Sequence, residues 1–186
     1  MGKMGSFDLS GMKELQKSLE GLRESSDAFV EACAKELAAR LLAMVVKRTP
    51  VGVPPKHIAD NKKTMVEVVG TSGKKRKFLS REAEIYQKYW SGYSGGTLRR
   101  GWTFGDIEKE GGVYKIRITN PVEYASYVEY GHRQKPGKYV PALGKRLKKG
   151  WVKGQFMMTI SEQELQSAAP QILEKRIQKF LGGALK

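Results

Sequence analysis

At 186 residues, with 40% hydrophobic and 28% charged side chains, the chain has the length and make-up of an ordinary soluble globular protein able to bury a core. Its single cysteine, Cys33, excludes an internal disulfide and any cysteine-based metal cluster, and its place among helical apolar residues suits a buried thiol. The formal net charge of +15 is concentrated: residues 52–100 hold eleven Lys or Arg against four Asp or Glu, residues 131–155 hold eight against none, and the remainder is balanced. Segments of this kind suit a polyanion or acidic neighbours. Residues 1–25 lack the apolar core of a signal peptide, and no apolar run approaches the roughly 18 residues of a membrane span. The expectation is synthesis in the cytoplasm and no membrane partner.

In chain order, Met12, Leu15, Leu19 and Leu22 recur at helical spacing, with Asp8 or Ser10 available as an N-cap. Ser25-Ser26-Asp27 reads as a break. A second helix of roughly 22 residues, about 33 Å long, then carries Phe29, Val30, Cys33, Ala34, Leu37, Leu41, Met44 and Val45 on a broad apolar face, and Pro50 ends it.

Residues 52–94 read as extended chain at Val53-Pro54-Pro55, a strand over 64–69, a flexible basic tip over 70–77, and a helix over 82–90 bearing Ile85, Tyr86, Tyr89 and Trp90. So many aromatic side chains call for cover, from this domain or from a neighbouring subunit.

The stretch from Gly95 to Gly131 organises the chain. Gly95-Gly96-Thr97 is a turn, and Leu98 to Asp106 reads as a strand with one sheltered face and imperfect alternation. Glu110-Gly111-Gly112 is the hairpin turn. Beyond it Tyr114, Ile116 and Ile118 alternate with Val113, Lys115, Arg117 and Thr119, the pattern of a half-buried antiparallel strand that Asn120-Pro121 stops. A short helix follows, with Tyr124, Tyr127 and Val128 on one face covering the sheet and Gly131 as its C-cap. Residues 132–154 are a basic arm or long hairpin, with Trp151 and Val152 anchoring its return. Residues 156–185 are helical, with Pro170 starting a fresh helix or kinking the first and Gly182-Gly183 ending it.

For an enzyme there is little to build on. His57 and His132 read as surface loop residues, Glu123 and Glu129 as salt-bridge partners of nearby arginines, and no Gly-Lys-Ser or Gly-Xaa-Gly-Xaa-Xaa-Gly phosphate cradle is present. No catalytic residue, cofactor or metal ligand is expected.

Three motifs in order, Thr49-Pro50-Val51, GTLRRGW over 96–102 and NPVEYASYVEYGHR over 120–133, resemble the neck or tail-completion family of tailed bacteriophages, a tail-component family named after gene product ten of a lambdoid phage. The likeness covers about two thirds of the chain. In that family the Thr-Pro-Val is usually followed almost at once by the Gly-Xaa-Leu-Arg strand, whereas here residues 52–94 intervene, and Gly101 stands where a serine is common.

The resemblance implies a single α+β domain, a small antiparallel sheet packed by a long N-terminal helix and a C-terminal helix, with extended basic loops. It implies a structural virion protein that forms a ring, commonly a hexamer, between the head connector and the tail tube, beside tail terminator or sheath proteins, with genomic DNA in the lumen. Its place is then the head–tail junction of the virion, assembled in the host cytoplasm.

The residues expected to touch DNA or acidic partners are Lys74, Lys75, Arg76, Lys77, Arg99, Arg100, Arg133, Lys135, Lys138, Lys145, Arg146, Lys148, Lys149 and Lys153. Tyr86, Tyr89, Trp90, Tyr127 and Tyr130 are the subunit-interface candidates. The other reading is a stand-alone basic nucleic-acid-binding domain, with Tyr86, Tyr89, Trp90 and Tyr93 as stacking platforms beside Arg99 and Arg100.

Overall fold

The structure, a computed structural model, describes the backbone of residues 10–184 and the side chains of residues 20, 21 and 25–182. Helix α1 runs unbroken over Ser10–Arg48, 39 residues or about 58 Å. The expected break at Ser25-Ser26-Asp27 is absent. Ser25 Oγ donates to the Gly21 carbonyl four residues back at 2.8 Å, so a residue that often caps a helix is absorbed into this one. The expected apolar face of Met12, Leu15, Leu19 and Leu22 and the cap at Asp8 lie outside the described side chains and residues.

After α1 and the extended Pro54-Pro55 comes the short α2 (Lys56–Ala59), then β1 (Met65–Val69) and β2 (Lys75–Leu79). The basic run expected to be a flexible tip is therefore mostly strand: β1 and β2 form an antiparallel ribbon with Val66 opposite Phe78 and Val68 opposite Arg76, and only residues 70–74 turn. Helix α3 (Arg81–Tyr89) starts on Ser80, whose hydroxyl accepts from the Ala83 amide.

Gly95 and Gly96, both at positive φ, then lead into α4 (Thr97–Arg100), so GTLRRGW is a turn of helix followed by the start of β3 (Thr103–Glu110) rather than a strand throughout. Two glycines at positive φ, Gly111 and Gly112, join β3 to β4 (Val113–Thr119) in a tight hairpin. The pairing of β3 with β4 is not continuous. The register shifts between Phe104 and Ile107, a bulge that turns both side chains to the face of Ile116 and Ile118.

Helix α5 (Ala125–Tyr130) precedes β5 (Gly131–Arg133) and β6 (Tyr139–Val140). A 3-10 turn (Pro141–Leu143) leads to β7 (Lys145–Arg146) and β8 (Trp151–Lys153). Strand β5 pairs with β8 and β6 with β7, so the basic arm is one long hairpin with Trp151 and Val152 on its return strand. Helix α6 (Met157–Ala184) passes through Pro170 without a fresh start and continues over Gly182-Gly183. The class is α+β, with antiparallel pairing spread over four two-stranded ribbons and a long helix toward each end of the chain.

The chain divides into two compact units. The first gathers Met1–Val45, Trp102–Thr119 and Met158–Lys186; the second gathers Val46–Gly101 and Asn120–Met157. In the first, α1 buries Cys33 and Ala38, Phe29 stacks on Phe180 of α6 with ring centroids 4.3 Å apart, and Glu36 bridges Arg40 and Arg176. Strands β3 and β4 reach α1 through Lys109, 2.6 Å from the Asp27 carboxylate, and through Tyr114, whose hydroxyl donates to the Asp27 carbonyl. This bonding holds the Asp27 carboxyl below the usual carboxylate range, mainly by the hydrogen bond from Lys109, and holds the Lys109 ammonium above its ordinary value. Arg40 does the same for Glu36.

Candidate partner-binding surface

The second unit is built on a few buried residues, Thr49, Ile58, Ala83, Leu98 and Met157, from segments far apart in sequence. Its frame is polar and specific. Arg99 donates from Nε and Nη2 to the Thr49 carbonyl at 2.9 and 2.6 Å, closing the chain just past α1. Asn120 donates to the Leu98 carbonyl at 2.8 Å and accepts from the Val122 amide. Gly101 makes room for that asparagine: a Cβ there would sit 2.6 Å from Asn120 Oδ1, so the serine common at this position in the resembling family would displace it.

Gly52 and Gly95 lie against each other, a Cβ on Gly95 falling 2.7 Å from the Gly52 carbonyl oxygen and 2.9 Å from Val51. The two ends of the 52–94 segment therefore meet at one point. A loop of any length can leave and return there without moving Thr-Pro-Val away from Gly-Thr-Leu-Arg.

Within residues 52–94 the aromatic residues divide. Trp90 donates from Nε1 to the Ala142 carbonyl at 2.8 Å and meets the Tyr93 ring edge-on at 5.2 Å, and Tyr86 is half-buried, so their own unit covers them. Tyr89 and Tyr93 remain exposed. His57, expected to be a surface loop residue, is half-buried and donates from Nε2 to the Leu143 carbonyl at 3.1 Å, which fixes its tautomer.

The α5 aromatics do not cover a sheet. Tyr127 and Tyr130 are 59% and 63% exposed, Tyr124 is exposed too, and it is Glu129 that is buried, at 5%. The reason is that the α5 end is held by backbone: Gln155 N donates to the Val128 carbonyl at 2.8 Å and Phe156 N to that of Glu129 at 3.0 Å. Gly131, at φ +84°, and Gly154 permit this approach, since a Cβ on either would overlap the other strand's backbone.

Beside it Tyr127, Gly131, His132, Arg133 and Trp151 line an open cleft of about 510 Å³. Trp151 stands opposite Arg133 in the β5–β8 register and is half exposed. The His132 ring meets Tyr127 at 5.9 Å, and its Nδ1 is buried without a hydrogen-bond partner among the described residues. Sequence reasoning did not bring these five together; the register of a long hairpin was needed to set Trp151 against Arg133.

Of the fourteen expected cationic contacts, all but Arg99 are exposed. Lys74 stands in the turn of the first ribbon and Lys75, Arg76 and Lys77 on β2; Arg133 lies on β5, Lys145 and Arg146 on β7, and Lys153 on β8. Arg146 also donates to the Gly137 carbonyl at 2.8 Å, which firms up the hairpin. Arg99 is a frame residue. Every one of these cations belongs to the second unit, which holds 21 Lys or Arg against 6 Asp or Glu; the first holds 13 of each. The whole net charge of +15 thus belongs to one unit, a surface suited to electrostatic attraction. Among the described residues no group of three or more His, Cys, Asp or Glu could hold a metal ion, and no helix is long and apolar enough to cross a membrane.

Residues 13–131, well over half of the chain, match the family model described as "Bacteriophage HK97-gp10, putative tail-component". No curated protein and no solved structure gives a match. The matched span contains the Thr-Pro-Val, Gly-Thr-Leu-Arg and Tyr-Ala-Ser-Tyr-Val-Glu-Tyr-Gly motifs, and the chain belongs to this HK97-gp10-like family of bacteriophage tail components.

Proposed function

We propose that the chain is a non-enzymatic structural subunit of a phage or phage-like tail, and that copies of it form a neck or tail-completion ring, of six subunits, at the head–tail junction. The ring finishes the tail and joins it to the head connector around the path of the DNA. The observation that carries this reading is the separation of charge: a neutral, helix-rich unit in the same chain as a unit bearing the entire +15. Six copies would assemble about ninety formal positive charges, which a ring can hold together only against a polyanion or acidic neighbours. The exposed Tyr124, Tyr127, Tyr130 and Trp151 suit burial between subunits or against tail tube and terminator proteins, because tyrosine, tryptophan and arginine dominate interface energies.

The stand-alone nucleic-acid binder draws less support. Its four-aromatic platform is divided, with Trp90 committed to Ala142 and Tyr86 half-buried. The test is electron microscopy of purified tails carrying an affinity-labelled chain. Label confined to the head-proximal end supports the ring, and label absent from tails or spread along the tube contradicts it.

A further inference from the structure

We propose that the β1–β2 ribbon is a DNA-contacting arm that lies in the major groove of duplex DNA and neutralises phosphates on both walls of it. The inference rests on the reading above in taking the DNA path as the ring's axis, but it concerns one ribbon and is tested separately. All five residues of β1 are exposed, as are the first four of β2. No third strand pairs with either edge among the described residues.

Lys74, Lys75, Arg76 and Lys77 are consecutive. Successive strand residues point to opposite faces, so Lys75 and Lys77 project on one side and Arg76 on the other. An acidic protein surface docks against one face of a ribbon and leaves the other face's cations unanswered. A groove flanked by two phosphate backbones answers both.

The dimensions agree. Two strands about 4.8 Å apart, with side chains, fit a major groove about 12 Å wide. Lys75 and Lys77, two residues or about 6.6 Å apart on one face, meet a duplex strand that offers a phosphate about every 3.4 Å of its axis. Lys62 and Lys63 extend the charge to the base of the ribbon, and the one acid on it, Glu67, holds Lys75 at 2.9 Å while both remain exposed. The exposed Val66, Val68 and Phe78 share the Arg76 face. The contact is to phosphate and groove shape, so it is indifferent to sequence.

The experiment is fluorescence anisotropy of a labelled 24-base-pair duplex with the full chain, over about 50–250 mM salt. The variants are Lys74→Gln/Lys75→Gln/Arg76→Gln/Lys77→Gln, Arg76→Gln alone, and Lys138→Gln/Lys145→Gln/Lys148→Gln/Lys149→Gln in the other basic segment. At about 0.9 per phosphate contact, the ribbon variant lowers the slope of log K against log salt by three to four and Arg76→Gln by about one, while the hairpin variant changes it by less than one.

Three results overturn the proposal: no duplex binding by the wild-type chain, an unchanged slope in the ribbon variant, or equal losses in both quadruple variants. Loss of assembly on tails with an unchanged slope would give the ribbon to a protein partner, also overturning it. Failure of the ring reading is seen in the position of the label on tails; failure of the ribbon reading is seen in the slope.

Discussion

The two units answer the same problem, long charged side chains on a modest core, in opposite ways. The first has as many acids as cations and pairs them locally: Glu31 with Lys35, Glu36 with Arg40 and Arg176, Asp27 with Lys109, Glu110 with Lys115. The second has six acids for twenty-one cations and cannot neutralise itself. It spends its specific bonds on the backbone instead, through Arg99, Asn120, Trp90 and the glycine approaches at Gly95, Gly131 and Gly154. A unit cross-braced through its backbone and unbalanced in charge suits electrostatic contact with something outside itself.

The contrast can be broken most severely at a glycine. Gly154→Ala places a methyl against the backbone of Glu129 and Tyr130, and should cost about 3 kcal/mol or more in urea unfolding. A loss under about 0.5 kcal/mol, the range of an indifferent surface change, would mean that this approach is not fixed. On the neutral side, Phe180→Ala removes the stacked partner of Phe29 and should lower stability by about 2 kcal/mol, read as a drop in the thermal midpoint.

Arg99→Ala should cost about 1–2 kcal/mol through the lost bonds to Thr49. Yet it should leave the salt dependence of any polyanion binding unchanged, because this arginine points inward. A changed salt slope would return it to the binding surface. The smallest effect is acidification. Asp27 and Glu36 are held below the ordinary carboxylate range, so their contribution is present above the normal carboxylate pKa of about 4 and is lost as pH falls through their lowered values. The urea midpoint should be slightly lower at pH 3 than at pH 5 for the wild type, and less so for Asp27→Asn/Glu36→Gln.

Much of the backbone was legible in the sequence where local chemistry decides it. The Gly111-Gly112 hairpin, the β4 alternation, α3 and the return strand at Trp151 stand where pattern and turn residues put them. Misreadings occurred where a local preference yielded to its surroundings. Ser25 bonds back into α1 instead of breaking it, Thr97–Arg100 forms a helical turn from which Arg99 bonds the Thr49 carbonyl, and the cations of residues 75–77 pair with β1 instead of fraying. The bulge between Phe104 and Ile107, which puts both on one face, left no sign in the sequence pattern.

The charge segments were visible as segments, but not that they belong to the same unit. The cleft at Tyr127, His132, Arg133 and Trp151 needed a pairing across nearly twenty residues of hairpin that composition does not encode.

The most direct test of the central claim is the mass of the purified chain by light scattering at low and high salt, alone and after mixing with tails that lack it. The account predicts a hexamer, or a monomer that becomes a ring only on those tails. A chain that remains monomeric under every condition and ignores tails would contradict it.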